Sequence, residues 1–127
     1  MLKVTFKNLY SLDIRGNELV EIEEAMCLNL AQLTRLDIRN NRLKVISPHI
    51  KAMMSLKSLR LDANLLEEIP PEIGELYFLE ELTFSENRIK ELPSALFNKL
   101  GESLRLLNFS DNKIKHIPAE IGTLSAL

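Results

Sequence analysis

Apolar residues recur along this chain as a short alternation that returns at a fixed period, never as a long run. From Leu56 the chain reads Leu56-Lys57-Ser58-Leu59-Arg60-Leu61-Asp62-Ala63-Asn64-Leu65-Leu66, and then Ile69-Pro70-Pro71-Glu72-Ile73. Leu59 and Leu61 are two residues apart, so on a strand they share one face while Arg60 and Asp62 take the other. The pattern occurs five times. Leu9, Leu33, Leu56, Leu79 and Leu104 align, as do Leu12, Leu36, Leu59, Leu82 and Leu107, and then Ile14, Ile38, Leu61, Phe84 and Phe109. An asparagine closes each alternation: Asn17, Asn41, Asn64, Asn87 and Asn112, spaced 24, 23, 23 and 25 residues apart. A period of this size means an array of stacked supersecondary units.

One such strand cannot bury its apolar face alone; stacked copies can, in a parallel sheet backed by the return segments. Two further apolar columns complete the expected core: Leu19, Leu43, Leu66, Ile89, Ile114, and Ile22, Ile46, Ile69, Leu92, Ile117. Met26, Ile50, Ile73, Leu96 and Ile121 supply an outer limb. Pro70, Pro71, Pro93 and Pro118 precede that limb, where a fixed φ and a missing N–H suit the first turn of a short helix. Units of this length leave room only for 3₁₀ or single-turn helices. The asparagines fall where the chain leaves the sheet, and a buried amide there can satisfy backbone groups in its own and a neighbouring unit.

These columns resemble the leucine-rich repeat family, whose signature is LxxLxLxxN with an apolar residue two places on. The endings Ile69-Pro70, Leu92-Pro93 and Ile117-Pro118, with the short period, resemble its intracellular, Ras-suppressor-like class. The resemblance implies an α/β fold: a right-handed solenoid arc with a parallel sheet of about five strands on the concave face and short helical turns on the convex face. It also implies a protein-interaction module that binds through the concave face. The single repeat domain, 1–127, divides into units at about 6–29, 30–52, 53–75, 76–100 and 101–123, with 124–127 opening a further one. Phe6 and Leu9 already hold repeat positions, so a polar cap before them would be very short. Unit one replaces the proline segment with Glu21, Glu23 and Glu24 and reads as a longer helical limb. The extra length at Phe97-Asn98-Lys99-Leu100-Gly101 is expected to bulge on the convex side. Neither end supplies a clear polar cap, which suggests a piece of a longer solenoid or a chain whose end units self-associate.

The outward strand positions form the candidate site. One column is Asp13, Asp37, Arg60, Thr83, Asn108 and the next is Arg15, Arg39, Asp62, Ser85, Ser110. Strands about 5 Å apart would let Asp37 pair with Arg60 and Arg39 with Asp62. Arg35 adds positive charge in unit two, Glu81, Glu86 and Asp111 make units four and five acidic, and Leu106 is an apolar interruption. Residue by residue this is a self-neutralising polar ladder; as a whole it is a docking strip, because the family uses that face.

Composition narrows the class. The chain has 127 residues, 46% of them hydrophobic, and a net charge of −2. It therefore lacks the basic field that nucleic-acid or membrane-surface binding requires. No apolar run approaches a membrane span, and the first residues lack the apolar core of a secretory signal. Cys27 is the one cysteine; secreted members of the family carry clusters, so a reducing interior, cytoplasmic or nuclear, is expected. Asn108-Phe109-Ser110 matches a glycosylation acceptor by a pattern that chance produces often. His49 and His116 fall in different units, Cys27 stands among apolar residues, and the glycines are scattered. The expectation is no catalysis, no cofactor and no metal, and a protein partner, with a small GTPase or kinase system as one candidate. The rivals are the recognition arm of a larger kinase, phosphatase or adenylate cyclase, and a ligand-recognition receptor domain.

Overall fold

The structure, a computed structural model, describes residues 8–100 and 102–127. The expectations placed on residues 1–7, Phe6 included, and on Gly101 lie outside them. Five three-residue strands carry the alternation: β1 (Ser11–Asp13), then, after the flank strand β2 (Glu21–Ile22) and the helix α1 (Glu24–Asn29), β3 (Arg35–Asp37). The flank strand β4 (Val45–Ile46) follows, and then β5 (Ser58–Arg60), β6 (Glu81–Thr83) and β7 (Leu106–Asn108). The main sheet runs β1-β3-β5-β6-β7, all parallel, and β2 pairs with β4 in a second parallel ribbon. Register follows the repeat: Leu12 lies opposite Leu36, Leu36 opposite Leu59, Leu59 opposite Leu82, and Leu82 opposite Leu107.

This is the leucine-rich solenoid that the columns call for. The central columns, Leu36, Leu59, Leu82 and Ile38, Leu61, Phe84, are buried, and the same columns at the two ends, Leu12, Ile14, Leu107 and Phe109, are half-buried. Each inner unit packs between two described neighbours. Phe84 and Phe109 continue the Ile38–Leu61 column as a stacked pair with centroids 6.0 Å apart.

Opposite the sheet the return segments are 3₁₀ turns at Pro48–Ala52, Pro71–Glu75, Ser94–Leu96 and Ala119–Thr123. Pro70, Pro93 and Pro118 stand at the cap position, and Pro48 and Pro71 open their turns, where no N–H is missed. Unit one departs as its glutamates suggest, with the six-residue α1 in place of a 3₁₀ turn. In the lengthened unit four Phe97 and Leu100 are fully buried, while Asn98 and Lys99 between them stand exposed in a turn. The added length thus carries an aromatic ring into the core beside an exposed turn.

Each unit leaves the sheet through one left-handed residue: Gly16, Asn40, Ala63, Glu86 and Asp111, with φ between 53° and 68°. That turn aims the following asparagine back into the molecule. Asn64 Nδ2 donates to the carbonyls of Leu61 and Asp62 in its own unit and of Ile38 in the preceding one. Its Oδ1 accepts the N–H of Leu43, also one unit back. Asn41, Asn87 and Asn112 repeat the arrangement. Among the described residues Asn17 bonds within its own unit, to Ile14 and Arg15, and it is exposed.

Candidate functional site

The outer face of the sheet is built by the three rows that the register defines. The first contains Ser11, Arg35, Ser58, Glu81 and Leu106; the second Asp13, Asp37, Arg60, Thr83 and Asn108. The third, just past the strands, holds Arg15, Arg39, Asp62, Ser85 and Ser110. All thirteen outward residues anticipated from the pattern fall on these rows.

Their partners differ from the simple cross-strand ladder. Asp37 does not bridge to Arg60, nor Arg39 to Asp62. Asp37 instead takes Arg39, two residues on, with Nη2 at 2.7 Å, and Asp13 takes Arg15 in the same way at 2.8 Å. Arg15 also approaches Asp37 at 3.7 Å, which links units one and two. The reason is local. A carboxylate at the strand end and a guanidinium two residues later lie on the same face, and the carboxylate also caps the intervening turn by accepting the arginine's own N–H.

The released Arg60 turns the other way, placing Nη2 2.7 Å from Glu81. Glu81 also accepts from the Ser58 hydroxyl at 2.9 Å. Asp62 accepts from the Thr83 hydroxyl and, at 2.7 Å each, from the Ser85 hydroxyl and backbone N–H. Units two to four thus carry three side-chain clusters next to one another, Asp37–Arg39, Ser58–Arg60–Glu81 and Asp62–Thr83–Ser85, with Ser58, Thr83 and Ser85 buried and Arg60 Nε a buried donor without a partner. Ser58 was missed by reading only the charged and singular positions. Its signal was available, since it occupies the column of Arg35 and Glu81.

The electrostatics follow from these bonds. The guanidinium of Arg15 holds Asp13 below the usual carboxylate range, and Asp13 in turn raises Arg15. At Asp37 burial pushes the pKa up, but hydrogen bonds from Arg39 and its charge outweigh that, and the carboxyl is lowered overall. Asp37 raises Arg39 in return.

Two shallow hollows open on this face. One, of about 430 Å³, is bordered by Arg39, Arg60, Asp62, Glu81, Ser85 and Asn108. The other, of about 100 Å³, lies between Asp13, Arg35, Asp37 and Ser58. Arg35, Asn108, Ser110, Glu86 and Asp111 are exposed around them. Leu106 is 47% exposed, an apolar side chain on a polar strip.

The leucine rich repeat family model matches residues 7–66, and a second leucine rich repeat model matches residues 103–124. The chain belongs to the leucine-rich repeat family. Solved structures agree. An LRR protein of Leptospira interrogans superposes with a TM-score of 0.89 at 30% identity, over 95% of this chain and 30% of its own. The LRR ectodomain of the Arabidopsis thaliana receptor kinase GASSHO1/SCHENGEN3, solved with CASPARIAN STRIP INTEGRITY FACTOR 2, gives 0.83 at 31% identity. That match covers 94% of this chain and 15% of the ectodomain. A chain of the Arabidopsis thaliana BIR3–SERK2 complex gives 0.75 at 32% identity, over 88% of this chain and 61% of that one. The leucine-rich repeat chain therefore spans under two thirds of each of these relatives. No curated protein sequence matches it.

Elsewhere in this leucine-rich repeat chain the reactive side chains stand apart. Cys27 is fully buried, and burial pushes its thiol up to about 11. His49 lies 3.4 Å from Glu24, with both side chains in solvent. Among the described residues no group of three or more His, Cys, Asp or Glu could hold a metal ion, and no helix is long and apolar enough to cross a membrane.

Proposed function

We propose that this leucine-rich repeat domain is a protein-docking module that binds its partner across the outer face of the five-stranded sheet. The observation that carries the reading is the row of three hydrogen-bonded clusters from Asp37 to Ser85. Its side chains are already held by one another, so a partner meets an ordered surface and binding freezes few rotamers. Around that rigid centre lie the groups with bonding capacity to spare: Arg35, Asn108, Ser110 and Asp111, with Leu106 as an apolar anchor. The acidic side at Glu86 and Asp111 favours a partner that presents a basic patch there. The likeness to repeat proteins solved in protein complexes supports a protein ligand.

We further place the domain in the Ras-suppressor-like class, on its IPxxI endings, as an intracellular scaffold in signalling whose partner belongs to a small GTPase or kinase system. The lone, buried Cys27 and the charge balance support that location. A second reading is the recognition arm of a larger receptor or enzyme. The likeness to a receptor-kinase ectodomain favours it.

Affinity capture tests the docking face. Arg60 and Glu81 are poor positions for the test, because reversing either strands the other in their shared cluster. Arg35→Glu, Leu106→Arg and Ser110→Lys change exposed groups only. They are expected to abolish capture while leaving the melting temperature in place, whereas Glu72→Lys on the convex side leaves capture intact. Capture that survives all three concave changes would show that the partner binds elsewhere.

A further inference from the structure

The flank by which the chain leaves the sheet changes character after unit two. Between units one and two, Arg42, Lys44 and Ser47 donate their backbone N–H groups to the carbonyls of Leu19, Val20 and Ile22. Between units two and three, and again between three and four, only the first of these bonds recurs among the described residues, as Leu65 to Leu43 and Arg88 to Leu66. The cause is local. Pro70 and Pro93 stand at the place that Ser47 holds in unit two, and a proline has no N–H to give. The carbonyls of Ile46 and Ile69 therefore lack the donor that Ile22 has, and β2–β4 ends as a two-stranded ribbon.

Where the segments part, a groove of about 490 Å³ opens across units two, three and four. Each of these units has a described neighbour on both sides, so the groove is internal to the array. Buried Ile69 and Leu92 line it together with exposed Val45 and Pro71. Its charged residues are Glu68, Glu72 and Glu91, with no lysine, arginine or histidine among those that border it. None of the three glutamates forms an ion pair among the described residues. Lys90 borders the neighbouring hollow instead. The walls are fixed, because the Leu65 and Arg88 bonds hold the sheet side and Gly74 packs against the carbonyls of Ala95 and Leu96 on the other.

We propose that this groove binds an extended, basic segment of a partner protein in which lysine or arginine alternates with aliphatic residues. Three observations choose that occupant. The glutamates are charges without counterions, the carbonyls of Ile46 and Ile69 are acceptors without their donor, and the ground between them is apolar. A long basic side chain suits all three, since its stem covers apolar surface while its head donates to carboxylate or carbonyl. The spacing agrees: units repeat at about 5 Å along the sheet and fan apart away from it, and alternate side chains of an extended chain repeat at about 7 Å. Successive basic residues thus meet Glu68 and Glu91, which hold equivalent places in neighbouring units. A purely apolar or acidic segment would cover the carboxylates without a counterion. The groove lies apart from the outward rows of the sheet, so the inference does not rest on the docking reading. Glu72→Lys, which spares capture on the sheet face, is expected to weaken binding here.

Fluorescence anisotropy of the full 127-residue chain with a short labelled peptide of alternating arginine and valine tests it. Binding is expected at low salt and is expected to weaken as screening grows. Replacing the peptide's arginines by glutamine is expected to lower affinity about tenfold or more. Glu68→Gln/Glu91→Gln changes exposed groups that have no partner among the described residues. It is expected to keep the native melting temperature and to lose about tenfold in affinity. Glu80→Gln/Glu102→Gln removes the same charge on the flank where the strands begin, and is expected to bind as the native chain does. Absence of binding overturns the proposal, as does binding indifferent to Glu68 and Glu91 or an equal loss in both double variants. Self-association of the chain that Glu68→Gln/Glu91→Gln abolishes also overturns it, because a second copy would then be the occupant.

Discussion

Leu43 donates its backbone N–H to Oδ1 of Asn64 at 2.9 Å, so a residue of one unit is satisfied by a side chain of the next. Asn64 is 5% exposed and gives its amide protons to three carbonyls. Truncation strands buried backbone groups in two units at once. Asn64→Ala is therefore expected to lower stability by about 1–3 kcal/mol. The equivalent Asn17→Ala, at an exposed residue whose bonds among the described residues lie within its own unit, is expected to cost under about 0.5 kcal/mol. Urea denaturation of the two variants measures the contrast, and equal losses would contradict the interlocking role.

Gly74 and Gly122 hold the same place in units three and five, yet their surroundings differ. A Cβ at Gly74 would stand 2.7 Å from the carbonyl oxygen of Leu96 and 2.8 Å from that of Ala95, and neither backbone atom can swing away. A Cβ at Gly122 meets nothing within 4 Å. Gly74→Ala is expected to destabilise by roughly 1–3 kcal/mol through overpacking, and Gly122→Ala to stay within about 0.5 kcal/mol of the native chain. Thermal melts of the two variants distinguish these outcomes.

The Asp37–Arg39 pair gives the fold an acid sensitivity of known sign. Asp37 has a lowered pKa in the folded chain, so the unfolded state binds its proton first. The resulting stability is present above the unfolded carboxyl value near 3.9. It is lost as pH falls through the lower folded value. Arg39→Gln removes the guanidinium hydrogen bonds and the charge while leaving Asp37 partly buried and still accepting the backbone N–H of residue 39. Carboxyl NMR titration is expected to show the Asp37 midpoint rising in that variant, and acid unfolding to begin at higher pH.

Cys27 is expected to be silent toward thiol reagents. Its thiol is buried and its pKa is raised to about 11, so almost no thiolate exists near neutral pH. Ellman's reagent should react stoichiometrically in denaturant and negligibly before it. Rapid reaction of the folded chain would place α1 in an open conformation.

The repeat itself was determined by sequence. Side-chain alternation at Leu59 and Leu61, the asparagine period and the pre-limb prolines are local consequences of backbone geometry, and they imply one stacked architecture because no unit can bury its own apolar face. The thirteen outward positions were legible for the same reason. Tertiary structure alone decided what those positions do to one another. Arg39 reaches Asp37 in its own unit rather than Asp62 in the next, and Arg60 is thereby free to take Glu81. Ser58, Thr83 and Ser85 became buried donors because rotamers and hydroxyl directions depend on every neighbour at once. The inward turn of Phe97 has the same origin: a period shows that residues were added, and only the space left by the packed units shows where they go.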